Sequence, residues 1–271
     1  MTRTGTAALE RGLNLLLEVA QSDIGGATLT ALVKRSGLSR STVFRLLDCL
    51  VREGLLHKDI SRTYHLGSKI YDLGLLASHR FDLSGYSFAV LRQLAETLGD
   101  TIFLNRRSGL DMVCIERIEG PNSRQPLTMS VGTRRAIGLG AGGLALLSAL
   151  DAKEAEAVLK ANHARYLAYY GTSLTAKLKH RVEIARRLGY AVNDGLKTRG
   201  VSGIGVGITS PDLVPILSLS VVAPMSRISQ LGAAAIAKEL TAASKEIASS
   251  LIDRNAPSKE DRGSNANPTP Q

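Results

Sequence analysis

Two helical patterns joined by a tight glycine break constrain this chain most. Thr28 can cap a short helix that carries Leu29, Leu32 and Val33 on one side. Ser36-Gly37 ends it, because glycine enters the left-handed conformation of a tight turn without strain. Ser39 then caps a longer helix that runs to about Glu53 and stops at Gly54. On that helix Val43, Leu46, Leu47 and Leu50 form a face to bury, and Ser41, Arg45, Asp48 and Arg52 fall opposite. An earlier segment, 7–21, places Leu9, Leu13, Leu16 and Ala20 on one helical face, and Asp23-Ile-Gly-Gly26 breaks it. Beyond Gly54, Leu55 to Leu66 alternate weakly about Asp59-Ile-Ser-Arg62, which predicts a short hairpin. Three helices and a hairpin in this order spell a winged helix-turn-helix over residues 6–66.

The third helix carries the chemistry. Arg40, Ser41 and Thr42 occupy its first turn, the part that meets base edges in the major groove of double-stranded DNA. Arg can donate two hydrogen bonds to guanine, and a Thr methyl can touch a thymine methyl. Arg45 follows on the exposed face. Arg62 falls near the wing tip and Lys58 on its first strand, and both suit phosphate or minor-groove contact. A net charge of +10 agrees with a polyanionic partner, although the cationic excess is spread along the chain. Only 4% of residues are aromatic, which argues against a single-strand binder that stacks bases.

The remainder is long enough for a second domain. Residues 68–83 predict an amphipathic linker helix with Ile70, Leu73, Leu76 and Ala77, and 84–98 a further helix with Leu91, Leu94, Ala95 and Leu98. The period then changes to two. Strands are predicted at 101–105, 112–118, 127–131, 190–193, 201–209 and 215–223. Gly138 to Gly143 reads as a loop entering an apolar helix over 144–150, with further helices at 152–163, 173–188 and 229–252. The stretch from 253 to 271, rich in Pro, Asn, Ser and Lys, predicts a disordered tail. The fold class is α+β, with domains at 1–67 and 84–252.

Several functions are excluded by what is missing. Cys49 and Cys114 lack metal-ligand spacing and read as small core residues, and His163 and His180 have no metal-ligating partners. No metal or cofactor is expected. The Gly-rich stretch lacks a P-loop ending, and no Gly-x-Ser-x-Gly elbow occurs, so catalysis is not expected. Without a signal peptide or an apolar run of membrane length, a cytoplasmic protein is expected.

Gly37-Leu-Ser-Arg-Ser-Thr-Val-Phe-Arg-Leu-Leu47, Glu53-Gly54-Leu55-Leu56 and Tyr64-His-Leu-Gly67 together resemble the IclR family of bacterial transcriptional regulators. The Gly-rich stretch 138–143, Gly189-Tyr190, Gly200-Val201, Ser218-Leu-Ser220 and Pro224-Met-Ser-Arg227 extend the resemblance to about residue 252. The family commonly has Pro where this chain has Ser39, and either residue can open a helix.

The resemblance implies a GAF-like α/β effector-binding domain built on a mixed sheet. It also implies dimers or dimers of dimers, and organic or aromatic acids as effectors. Its pocket maps onto Ile137, Leu139, Gly142, Asn193, Asp194, Gly203, Ser220 and Val222. Two departures stand out. An acidic pair common after the Tyr190 strand is Asn193-Asp194 here, and the 138–143 stretch is richer in glycine than usual. The implied ligand therefore differs from the small keto acids of the best-known branch. The rival reading is an architectural DNA binder without a ligand, against which the large second domain argues.

Overall fold

The computed structural model describes residues 6–22, 25–81, 84–123, 129–194, 200–209 and 217–255. The chain divides at Asp82/Leu83 into two compact units.

In the first unit, α1 (Ala7–Ala20), α2 (Leu29–Ser36) and α3 (Arg40–Arg52) precede the wing strands β2 (Leu56–Lys58) and β3 (Thr63–Leu66). Thr28 caps α2 by accepting the Ala31 amide at 3.3 Å, and Gly37 closes it at φ 66°. The strand β1 (Ala27–Thr28) was not foreseen; it adds to β3 and completes a β1-β3-β2 sheet. Gly67 lets the chain return to the end of α3, since a Cβ there would lie 2.1 Å from the Gly54 carbonyl oxygen. The helix α4 (Ser68–Phe81) follows and leaves Tyr71, Leu73 and Leu76 exposed.

Two expectations fail here. The buried stripe of α1 is Gly12, Leu15 and Val19, with Leu16 partly buried, whereas Leu9, Leu13 and Ala20 are exposed. The leucine-rich helix has overlapping apolar stripes, and docking on α3 buries the one that contains Leu15 and Val19. Cys49 lies on the exposed side of α3, not in the core; Cys114 is buried as expected.

Among the described residues the second unit is built on one six-stranded sheet in the order β6-β5-β4-β9-β8-β7. Its strands are β4 (Thr101–Ser108), β5 (Asp111–Ile118), β6 (Arg134–Ala136), β7 (Ala191–Asp194), β8 (Val201–Ile208) and β9 (Leu217–Pro224). Every pairing among the described residues is antiparallel, so the expected mixed sheet is corrected. The third strand lies at 134–136 rather than 127–131; of the latter, 129–131 is not strand and 127–128 falls outside the described residues.

Strand alternation gives the sheet two unlike faces. Ile102, Leu104, Ile204, Val206, Ile208, Leu217, Leu219 and Val221 pack against α5 (Ser84–Leu98) and α10 (Ala233–Asn255). The opposite face carries Asn105, Gly203, Gly205, Gly207, Ser218 and Ser220, and receives α6 (Gly140–Ala149). A Cβ on Gly205 would lie 2.6 Å from the Ala141 carbonyl oxygen, so this glycine is what lets α6 lie flush on the sheet. The glycines 140–143 belong to α6 and are not a loop. Residues Ala141–Leu147 are all buried, as a helix enclosed on every side requires.

Outside α6 lie α7 (Ala152–Ala161) and α8 (His163–Leu188), the latter kinked at Gly171 (φ 75°, ψ 175°). The expected final helix is two, α9 (Met225–Leu231) and α10, parted at Gly232, and α10 runs three residues into the expected tail. The rest of that tail lies outside the described residues.

Candidate DNA-reading face and effector cavity

The first turn of α3 is organised by its own cap. Ser39 Oγ accepts the Thr42 amide at 3.3 Å and lies 2.8 Å from Thr42 Oγ1. Arg40, Ser41 and Arg45 are exposed. Arg40, Ser41, Lys58 and Arg62 converge on a cleft of about 830 Å³ between α3 and the wing, together with Thr28, Thr30, Phe44 and Ser61. Thr42 and Arg45 lie on the other flank of α3, with Asp48, Cys49 and Arg52. Phe44 borders both flanks and is half exposed. The sequence reading missed it, although an aromatic outside the apolar stripe was a usable signal.

The wing turn is held by one carboxylate. Asp59 Oδ1 accepts Ser61 Oγ at 2.7 Å and the Thr63 amide at 2.8 Å, and Oδ2 lies 3.1 Å from His65 Nε2. The Ser61 hydroxyl, then the Thr63 amide, hold the Asp59 pKa down at about 2. Arg62 takes the left-handed conformation at φ 62°, which places it at the turn, and Ile60 is wholly exposed at the tip. Lys58 Nζ sits 6.0 Å from the centre of the Phe44 ring and 5.5 Å from that of Tyr64, so two rings steady its ammonium.

In the second unit, a cavity of about 320 Å³ opens where α6 begins. Gly140, Ala141 and Gly142 line it, and Leu139 offers no side chain to cap the helix. The Gly140 amide donates to the Tyr170 hydroxyl at 3.1 Å. Beneath the helix lie Ser220 and Asn105, both buried. Asn105 Nδ2 is 3.4 Å from Ser218 Oγ, and among the described residues Asn105 Oδ1 has no hydrogen-bond partner. Apolar walls come from Phe103, Met112, Met129, Leu139, Tyr169 and Val222. Among the described residues of the lining, Arg135 is the ionic side chain. Burial raises the Tyr169 pKa, and the nearby Arg135 charge partly opposes the rise.

Of the residues mapped to a pocket, Leu139, Gly142, Asn193, Gly203, Ser220 and Val222 line this cavity, and Ile137 and Asp194 do not. Ile137 is in the core, where its carbonyl accepts the Tyr166 hydroxyl at 2.5 Å. Asp194 is exposed and accepts Ser202 Oγ at 3.1 Å. Arg135, Tyr169, Tyr170, Met129, Asn105 and Phe103 were not foreseen. They come from β6, α8, β4 and a connecting segment, and no spacing in the chain relates one of these segments to another. Among the described residues no group of His, Cys, Asp and Glu could hold a metal ion, and no helix is long and apolar enough to cross a membrane.

Residues 8–59 match the family pattern described as the IclR helix-turn-helix domain, and residues 76–249 that of the bacterial transcriptional regulator IclR C-terminal domain. The acetate operon repressor of Salmonella typhimurium is 29% identical over 252 residues, covering 87% of this chain and 89% of that one. The transcriptional repressor AllR of Escherichia coli is 25% identical over 232 residues, covering 85% and 84%. Among solved structures, an IclR transcriptional regulator from Silicibacter sp. TM1040 superposes with a TM-score of 0.78 at 25% identity, covering 90% of this chain and 96% of that one. An IclR homologue from Microbacterium hydrocarbonoxydans, solved with 4-hydroxybenzoate, has a TM-score of 0.73 at 22% identity, covering 91% and 100%.

Proposed function

This chain belongs to the IclR family of bacterial transcriptional regulators, with an N-terminal helix-turn-helix and a C-terminal effector-binding domain, and from that premise we propose that a small carboxylate with an aromatic or branched apolar part controls its binding to operator DNA. The observation that carries the effector class is the cavity at the start of α6. Among the described residues its lining offers one ionic group, the cation Arg135, beside the first turn of a helix, and both favour an anion. Its other walls are apolar, and about 320 Å³ is at the small end of ligand sites. The protein of like fold solved with 4-hydroxybenzoate holds an acid of this class.

On the DNA side, Arg40, Ser41, Thr42 and Arg45 read bases, and Lys58 and Arg62 position the wing on the backbone or in the minor groove. The protein acts in the cytoplasm as a homodimer or dimer of dimers. Exposed Tyr71, Leu73 and Leu76 on α4 support pairing with a second copy. Relatives that are repressors favour repression as the sign of control.

The test begins with duplexes selected by the full-length protein from a randomised pool. Their affinity is then measured by fluorescence anisotropy with and without benzoates and branched-chain carboxylates. An acid that binds in the cavity and shifts operator affinity supports the reading, since coupling must equal its differential affinity for the two states. Operator binding that no acid changes, with none taken up by the cavity, leaves the architectural alternative.

A further inference from the structure

We propose that Phe44 is a base-reading residue that recognises a thymine methyl group in the major groove. The inference rests on the reading of α3 as the DNA-reading helix. Phe44 stands one position after the buried Val43, and it belongs neither to the core of its unit nor to the side chains packed against that core. It retains 47% exposure, a large apolar surface on a helix face otherwise made of Arg40, Ser41, Arg45 and Asp48. It borders the depressions on both flanks of α3, so it stands on the crest of the helix between the two sets of polar side chains. From the wing, Lys58 Nζ approaches the centre of the ring to 6.0 Å.

Base edges in the major groove present donors, acceptors and one apolar substituent, the thymine 5-methyl. An apolar ring on the crest of a reading helix is desolvated at a gain only against that group. Against any hydrogen-bonding edge it leaves the edge unpaired. Phe44 therefore adds a thymine preference that the arginines cannot supply.

The test uses the full-length chain and the duplexes it selects from a randomised pool. Thymines are replaced singly by deoxyuridine, which removes the methyl and keeps every hydrogen-bonding atom. One position in the half-site is expected to cost the parent roughly fourfold in affinity, the worth of one buried methyl group. Phe44→Ala is expected to bind the thymine duplex more weakly and to ignore the replacement at that position, and Phe44→Leu to keep part of the discrimination. Thermal melts establish that both variants are folded. A parent insensitive to every replacement overturns the proposal, as does a Phe44→Ala variant that keeps the parent's full discrimination at every position. Equal loss on selected and random duplexes marks Phe44 as a prop for the wing and also overturns it. A parent that selects no sequence at all defeats the DNA-binding reading itself, and the proposal with it.

Discussion

The Tyr170 hydroxyl accepts the amide of Gly140 at 3.1 Å, tying the α8 segment before the Gly171 kink to the first residue of α6. An oxygen that accepts in this way keeps its own proton to donate into the cavity, which Tyr170 lines. We expect Tyr170→Phe to weaken binding of the effector acid by about 1 kcal/mol, the net worth of one hydrogen bond. Titration calorimetry with the acid that raises Tm most checks this. Unchanged affinity places the carboxylate elsewhere.

Ser220 and Gly142 separate pocket chemistry from packing. Ser220→Ala should cost roughly 1–2 kcal/mol of effector affinity and leave operator binding without effector intact. Gly142→Leu should instead unseat α6, because a Cβ there would lie 2.5 Å from Asn105 Nδ2 and 3.0 Å from Ser220 Oγ. Overpacking of this kind costs on the order of 1–3 kcal/mol or more. Denaturant unfolding should show that loss for Gly142→Leu and little change for Ser220→Ala.

Arg40→Ala and Arg45→Ala should each cost roughly 1–3 kcal/mol on the operator and less on random duplex. Anisotropy at matched salt on both duplexes measures the difference. Equal losses would reduce both residues to phosphate contacts.

Arg227 gives a structural role to the Pro224-Met-Ser-Arg227 motif. Its Nε lies 2.6 Å from Asp100 Oδ2, and its Nη2 donates to the Leu98 carbonyl at 2.8 Å, with the Asp100 carboxylate almost wholly buried. Arg227→Ala strands a buried charge and should destabilise the domain by about 3–5 kcal/mol. The double variant Arg227→Met with Asp100→Leu should recover much of this loss. Chemical denaturation of the three proteins decides it.

Asp59 should titrate near pH 2. Because its folded-state pKa lies below the ordinary value, its contribution to wing stability is present above about pH 4 and is lost as pH falls towards 2. Ser61→Ala removes the largest cause and should move the midpoint up towards the usual carboxylate range. Carboxyl-carbon NMR titration of the two proteins gives both values.

The sequence by itself determined what neighbouring residues settle among themselves. Thr28 and Ser39 cap their helices through the amide three residues on, Gly37 turns the chain, and Val43, Leu47 and Leu50 share one face whatever lies opposite. The two-residue alternation of Ile204, Val206 and Ile208 with Gly203, Gly205 and Gly207 is likewise written in the chain. Which stripe of α1 is buried was decided only by its docking on α3, since Leu9 and Leu15 are equally apolar. The cavity at the start of α6 depended on tertiary structure still more. Arg135, Tyr170 and Asn105 meet because β6, α8 and β4 pack around the start of α6, and the glycine face of β8 admits that helix closely. Capping and periodicity act within a turn or a strand, whereas a cavity is bounded by side chains that only packing brings together.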